Sequence, residues 1–355
     1  MSNPTRTDPT DRTGRRAPAR RPAPGTAGAS GTSGTSGTSG TSGTSGTSDA
    51  ADAPRPPRTL FTSLASGASG TPRTPHDAPT PGYGAEAGVL AIAHRGGSAL
   101  GAENTLEACE RSLALGFGYL ETDARMTADG VWVAFHDRTL QRVTGMRGRV
   151  ADVTWADLRG LRVHGTALVP RLEDLLGAWP DVRWIVDVKQ PSALESLARL
   201  LRQPGTAHRV CLSGTWDSRL DQARREVGPT VSTAVGWRSM ATLLAGRAVD
   251  PRGAEFVHVP LRLVGRWLPT PELVRRAHDA GLRMLVWGVE AAGDIHRLLD
   301  DGVDGVITDR PDTLREVLVA RSAWRSRHVT IPGTARPRDI TAVAPEPGRA
   351  LGPIS

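Results

Sequence analysis

Between Gly88 and Ala320 the chain alternates short apolar runs with longer stretches in which apolar residues recur every three or four positions. The first kind, "GVLAIAH", "YLETDARM", "VWVAFHD", "WIVDVK", "RVCLSG", "TVSTAVGW", "FVHVPL", "RMLVWGVE" and "GVITDRP", reads as strands. The second kind, "TLEACERSLALG", "PRLEDLLGAW", "ALESLARLLRQ", "ELVRRAHDAG" and "DIHRLLDDG", reads as amphipathic helices. This rhythm predicts an α/β fold with a mainly parallel sheet, because parallel neighbours need a crossover and the helices supply it. About eight strands in this length fit a closed TIM (β/α)8 barrel forming a single domain. A doubly wound open sheet is the structural alternative, but no G-x-G-x-x-G follows the first strand to support a dinucleotide site.

The two ends of the chain lack this patterning. Residues 1–87 are Pro, Thr, Ser, Gly, Ala and Arg with almost no large apolar side chains, and Ser30 to Ser48 repeats Gly-Thr-Ser without interruption. Such a composition cannot bury a core, so a disordered tail with a flexible repeat is expected there. Residues 321–355 mix Arg, Pro and Gly and are expected to form a loose C-terminal tail, leaving 88–320 as the barrel.

The formal charge of +7 raises the question of nucleic acid. Arginines crowd both tails while the core interleaves its own with acids, and no nucleic-acid module is recognisable, so no specific nucleic-acid partner is expected. Cys109 and Cys211 fall in a predicted helix and a predicted strand without metal-ligand spacing, and read as small core residues. No stretch is long and apolar enough to span a bilayer, and no apolar run follows the N-terminal arginines, so the cytoplasm is the default expectation. Oligomeric state is not legible.

Polar residues gather in or just after the strand patterns: His94-Arg95, Glu121, Asp123, His136-Asp137, Asp187, Lys189, Trp287 and Asp309. In a barrel of parallel strands the carboxyl ends form the active face, and Gly96-Gly97 allow a sharp turn there. Asp129-Gly130 predicts a two-residue hairpin turn, which would pair Ala128 with Val131, set Asp123 opposite His136, and make this strand pair locally antiparallel. Glu121 and Asp123, two apart on a strand, project together, and two inward carboxylates repel and lose hydration unless a cation lies between them. Oxygen donors without a nearby cysteine favour a hard divalent cation, Mg²⁺ or Ca²⁺, with Asp187 as a third acid. The plainer reading of each acid alone is a salt bridge to a core arginine. His94 and His136, each beside a charged residue and flanking the acids, could serve as general acid and base. Asn104, with Glu107 three residues on, reads as a helix cap. His164, His208, His258, His278 and His296 have no such company and read as surface or helix-end residues.

The blocks "AHRGG", "AENT", "ETDARMTADGVWVAFHD" and "VTG", followed in order by "VPRLEDLL", "VDVK" and "GVDGVITDRPD", resemble the signature of the glycerophosphodiester phosphodiesterase family from about Gly88 to Leu318. The resemblance implies a TIM-barrel phosphoric diester hydrolase that uses a divalent metal to convert a small-molecule glycerophosphodiester to glycerol 3-phosphate and an alcohol. On matching positions it implies His94 and His136 as the acid/base pair, Arg95 and Lys189 on the phosphate, and Glu121 and Asp123 on the metal. Trp287 is a candidate substrate contact. Three departures stand out. Asp187 occupies a position usually held by Glu, one methylene shorter; Ala102 stands where Pro is frequent; "CLSGTW" replaces a more usual Ser-Phe stretch. The shorter ligand is compatible with a rival reading, a phospholipase D-like barrel acting on lysophospholipids or sphingolipids. A noncatalytic scaffold is the second rival.

Overall fold

The computed structural model describes residues 82–86, 88–190, 193–327 and 329. In chain order the strands are β1 Leu90–Ala93, β2 Tyr119–Met126, β3 Trp132–Ala134, β4 Arg162–Val163, β5 Ala167–Leu168, β6 Arg183–Val188 and β7 Val210–Ser213. They continue with β8 Ser232–Thr233, β9 Phe256–Pro260, β10 Arg262–Leu263, β11 Arg266–Trp267, β12 Arg283–Trp287 and β13 Gly305–Thr308. The helices are α1 Leu106–Ala114, α2 Gln141–Thr144, α3 Trp155–Leu158, α4 Leu172–Ala178 and α5 Leu194–Leu201. Then come α6 Asp217–Val227, α7 Trp237–Leu244, α8 Pro271–Asp279, α9 Ala292–Asp300 and α10 Pro311–Ala320.

Eight of these strands run parallel in the order β8, β7, β6, β2, β1, β13, β12, β9. The first and last of that series meet: Val235 N donates to Phe256 O (2.8 Å) and Glu255 N to Thr233 O (3.0 Å). The sheet therefore curls into a nearly closed (β/α)8 barrel, and the open doubly wound alternative is excluded. Leu90, Ile92, Tyr119, Ile185, Cys211, Phe256, Leu285 and Ile307 fill the inside. A second apolar layer, including the fully buried Trp179, Trp184 and Leu172, cements the strands to the outer helices. Both cysteines are buried and free, as core residues should be.

Helices α6, α7 and α10 do not stand out in the apolar pattern. In α6, "DSRLDQARREV", only Leu220, Ala223 and Val227 are buried, so three contacts at helical spacing carry it. Packing also extends past the expected boundaries. Tyr83 lies edge-on to Tyr119 (5.2 Å) and Phe256 (5.5 Å) where those strands begin, and Trp324 rests against Phe117 (5.1 Å). The remainder of the expected N-terminal tail, with its Gly-Thr-Ser repeat, and most of the expected C-terminal tail lie outside the described residues. Among the described residues no helix is long and apolar enough to cross a membrane.

The hairpin between β2 and β3 is antiparallel as expected, but its register is shifted by one. Ala124 pairs with Ala134 and Met126 with Trp132. Thr127 N donates to Val131 O (2.9 Å), so the loop holds three residues, Ala128 to Gly130, and Gly130 alone among them has a positive φ (84°). Asp129 instead uses its carboxylate to accept from Thr127 Oγ1 (2.5 Å) and Trp155 N (3.0 Å). A three-residue loop with glycine at its left-handed position replaces the two-residue turn, and a shift of one exchanges faces along the ladder. Phe135, not His136, stands opposite Asp123, donating its N–H to Asp123 O (2.9 Å). His136 follows beyond the last paired residue.

Candidate active site

The carboxyl ends of β1, β2 and β6 place the charged groups. After β1 the chain turns through Arg95 (φ 49°), Gly96 (φ 79°) and Gly97 (φ 97°). A non-glycine residue in this left-handed region costs on the order of 1–2 kcal/mol. Two hydrogen bonds hold it there: Arg95 N donates to Glu121 Oε2 (2.8 Å) and Asn104 N to Arg95 O (2.8 Å). A Cβ on Gly97 would collide with Ser112 Oγ, so the turn can lie this close to α1 only with glycine.

Glu121 and Asp123 share a face of β2, and Asp123 is in direct register with Asp187 on β6. One carboxylate oxygen from each of the three lies within 4.8 Å of the others. Lys189 Nζ reaches Asp187 Oδ2 (2.6 Å) and Asp123 Oδ1 (3.0 Å), and Arg95 Nε is 3.4 Å from Asp123 Oδ2. Burial, then the Asp123 charge, push Glu121 up to about 7. Burial works the same way on Asp123, but Lys189, foremost among its neighbours, holds that carboxyl below its ordinary value. Burial alone would lower Lys189; the Asp187 and Asp123 carboxylates raise it instead and keep it an ammonium.

Both histidines are oriented by aspartates. His94 Nδ1 is 2.8 Å from Asp309 Oδ1, and His136 Nδ1 is 2.7 Å from Asp137 Oδ1. A carboxylate only accepts, so each Nδ1 carries the proton and each ring keeps Nε2 for the cavity. His94 Nε2 stands 3.7 Å from Glu121 Oε2. Burial opposes protonation of His94, but Glu121 and Asp309 overcome it and raise its pKa. Asp309 also accepts from Ser98 Oγ. Behind His136, Arg142 grips Asp137 (Nε–Oδ2 2.6 Å) and Glu103 (Nη2–Oε1 2.7 Å, Nη1–Oε2 2.8 Å), and Glu103 in turn accepts from Arg95 Nη1 (3.1 Å).

One cavity of about 480 Å³ is lined by eight of the residues singled out from the sequence, His94, Arg95, Glu121, Asp123, His136, Asp187, Lys189 and Trp287, while Asp137 and Asp309 stand behind the histidines. Two expectations fail. The N-cap of α1 is Thr105, whose hydroxyl accepts from Ala108 N (3.3 Å), and not Asn104. Asn104, buried and at φ 57°, donates Nδ2 to Asp123 Oδ2 (2.9 Å) and accepts at Oδ1 from Thr122 Oγ1 (2.8 Å) and Asp123 N (3.1 Å). It holds the acid instead of the helix, because the left-handed backbone turns its amide toward β2. His258 is not a surface residue: it lines the cavity from β9. The isolated "FVHVPL" hides this, since an imidazole in an apolar strand carries no mark of which face it takes. Asp309 was legible as a polar residue at a strand end but not as the partner of His94, and Arg142, in α2, carries nothing in the sequence that sets it apart from the other arginines.

Three carboxylates of this spacing, all oxygen donors, suit a hard divalent cation. One ammonium and one guanidinium against three carboxylates leave one formal negative charge, which a divalent ion converts to one positive.

The sequence matches the glycerophosphoryl diester phosphodiesterase family over residues 94–313. It is 36% identical over 256 residues to the Mycobacterium tuberculosis protein named "Probable glycerophosphodiester phosphodiesterase 2", covering 70% of this chain and 97% of that one. It is 28% identical over 271 residues to a lysophospholipase D of Mus musculus, covering 64% of this chain and 81% of the other. A crystal structure from Silicibacter pomeroyi, of a protein whose name carries the phosphodiesterase activity, is similar with a TM-score of 0.58 and 26% identity, over 69% of this chain and 97% of that one. A barrel whose mouth gathers the carboxylates, the cations and both imidazoles, and a sequence match across nearly its whole length, agree: the chain belongs to the glycerophosphoryl diester phosphodiesterase family and is an enzyme of that class.

Proposed function

We propose that the protein hydrolyses glycerophosphodiesters to glycerol 3-phosphate and an alcohol, with Mg²⁺ or Ca²⁺ held by Glu121, Asp123 and Asp187 and with His94 and His136 as the acid/base pair. The observation that carries this is the pair of aspartate-oriented imidazoles lining one cavity with a carboxylate triad. A bound divalent cation would act as a Lewis acid on the phosphoryl oxygen. Arg95 and Lys189 counter the negative charge that grows on the equatorial oxygens as the nucleophile approaches. One imidazole Nε2 takes the proton of the attacking oxygen, from water or from the substrate's neighbouring hydroxyl, and the other returns a proton to the departing alkoxide. Asp309 and Asp137 keep each ring aimed. Trp287, at the end of β12, offers an indole face to the substrate.

The test is release of glycerol 3-phosphate from a panel of glycerophosphodiesters by the full chain. Chelation should abolish it, and added Mg²⁺ or Ca²⁺ should restore it. His94→Ala and His136→Ala should each lose about 10²- to 10⁴-fold in rate with melting curves intact, whereas His296→Ala, on α9 and outside the cavity lining, should not. Retained turnover in both catalytic variants overturns the proposal.

A lysophospholipid reading has one observation in its favour. A second groove, of about 510 Å³, adjoins the cavity through Thr215 and Trp237 and carries the exposed indole of Trp216. Its walls also hold Asp217, Asp221, Asp250, Arg224, Arg238 and Arg252, which suit an acyl chain poorly. Equal rates on a lysolipid and on glycerophosphocholine would favour that reading.

A further inference from the structure

The cavity has two unlike halves. Its acids and cations come from β2, β6 and the segments after β1, β3 and β6, whereas the other half is lined by Ala234 just after β8, His258 of β9, Trp287 of β12 and Ile307 of β13. His258 is the ionisable side chain of this second half. Phe256 points into the barrel, and the period of two sets His258 on the same face, one layer nearer the mouth and in register with Leu285. Its Nε2 is enclosed and meets no hydrogen-bond partner among the described residues. The residue as a whole is half-buried and lines the cavity. Buried polar groups are ordinarily paired, so an imidazole left without a partner inside a substrate cavity points to a partner that arrives from outside.

We propose that His258 reads the terminal hydroxyl of the substrate's glycerol arm, an inference that rests on the glycerophosphodiester reading above. The phosphate belongs to the charged half, where Arg95 and Lys189 stand. The hydroxyl next to the ester stays with it, because two carbons cannot carry it away. In this pose the terminal hydroxyl extends over Ile185, Ala234 and Ile307 toward the ring, on the other side of the same cavity. Burial, with no opposing charge beside it, pushes His258 down to about 4, so the ring is neutral at pH 7. A neutral imidazole offers one donor and one acceptor, which matches a hydroxyl and does nothing to attract an ionic group. A site that pairs a buried polar group with a substrate hydroxyl disfavours the analogue lacking it, here by roughly 10- to 100-fold for a single neutral bond.

The experiment measures choline release by the full chain from two phosphocholine diesters. One carries glycerol. The other carries propane-1,2-diol, which keeps the hydroxyl next to the ester and lacks the terminal one. The unmodified protein should prefer the glycerol diester in kcat/KM by roughly 10- to 100-fold. His258→Leu should bring the ratio to within about threefold of unity, and His258→Gln, which keeps a donor and an acceptor, should restore part of it. The ratio is taken on one preparation, so a partly unfolded variant does not distort it. Equal kcat/KM in the unmodified protein, or an undiminished preference in His258→Leu, overturns the inference. No hydrolysis of either diester by the unmodified chain would instead remove the glycerophosphodiester reading and this inference with it.

Discussion

Asn104 offers a direct probe of how the acidic triad is held. Its side chain makes three hydrogen bonds, one to the Asp123 carboxylate, one from Thr122 Oγ1 and one from Asp123 N, and the residue is 2% exposed at φ 57°. Asn104→Ala removes all three and leaves a β-carbon in left-handed backbone without the amide that offset its cost. At about 1 kcal/mol net per hydrogen bond, and about 1 kcal/mol for the backbone, the loss comes to about 3–4 kcal/mol. For a domain of this size 1 kcal/mol moves Tm by about 2–4 °C, so melting should fall by on the order of 10 °C. Asn104→Gly relieves the backbone cost and should recover about 1 kcal/mol of that loss. The functional signature is separate: with its donor gone the Asp123 carboxylate is free to turn, and the cation concentration for half-maximal turnover should rise about 10-fold or more. Circular dichroism melts and cation titrations of the three proteins read both effects. A melting change under 2 °C with an unchanged cation requirement would refute the reasoning.

Two further outcomes follow from the titrating groups. Burial holds His258 at about 4 against an ordinary 6.5. The unfolded chain therefore binds a proton between those values that the fold refuses, and stability, complete above pH 6.5, falls as pH drops toward 4, by on the order of 3 kcal/mol. His258→Phe should flatten that span of the melting-versus-pH curve, and an unchanged slope would contradict the assignment. Burial opposes ionisation of Glu103, but the Arg142 fork, then Arg95, keep its carboxyl below the ordinary value. Its stabilisation is present above the unfolded value near 4.5 and is lost as pH falls through the lower folded one. Arg142→Met should make the acid limb of the same curve shallower and slow turnover, because Asp137 then loses the partner that steadies it against His136.

The parallel strands and the three acids were legible because each rests on a strong local signal. An acid in "YLETDARM" or "WIVDVK" breaks an apolar strand, and the breach itself marks a site. The cap at Thr105 was hidden by a neighbour of equal propensity: Asn104 and Thr105 are both good N-caps, and only the left-handed backbone at Asn104, set by the turn that packs on Arg95 O, separates them. The hairpin register departs from the sequence expectation for a similar reason. Asp-Gly fits a two-residue turn, but Asp129 has a better use for its carboxylate at the N-terminus of α3, where Trp155 N meets it, and the loop takes one more residue to allow it. Helix α6 shows the reverse case, a charge-rich segment made helical by three buried residues. His258 could not be found by pattern at all, since its meaning depends on what the other seven strands do not place beside it.

The excursion through β3 explains how a parallel barrel obtains a second imidazole at the height of its acids. A parallel strand delivers side chains to the mouth once, at its carboxyl end, and the chain then leaves for the outer helices. Strand β2 runs on past Asp123 to Met126, and the loop at Ala128 to Gly130 reverses it. β3 descends antiparallel until Phe135 N meets Asp123 O, which returns the chain to the level of the triad and sets down His136 there. The antiparallel ladder is therefore the device that brings residues thirteen apart in sequence to one layer. Because the register, and not the turn alone, sets that height, a one-residue insertion between Asp129 and Gly130 should displace His136 while leaving His94, Glu121 and Asp187 where they are. Turnover should fall as far as expected for His136→Ala, with the cation requirement little changed. A proportional loss of cation affinity would show instead that the hairpin holds the triad itself.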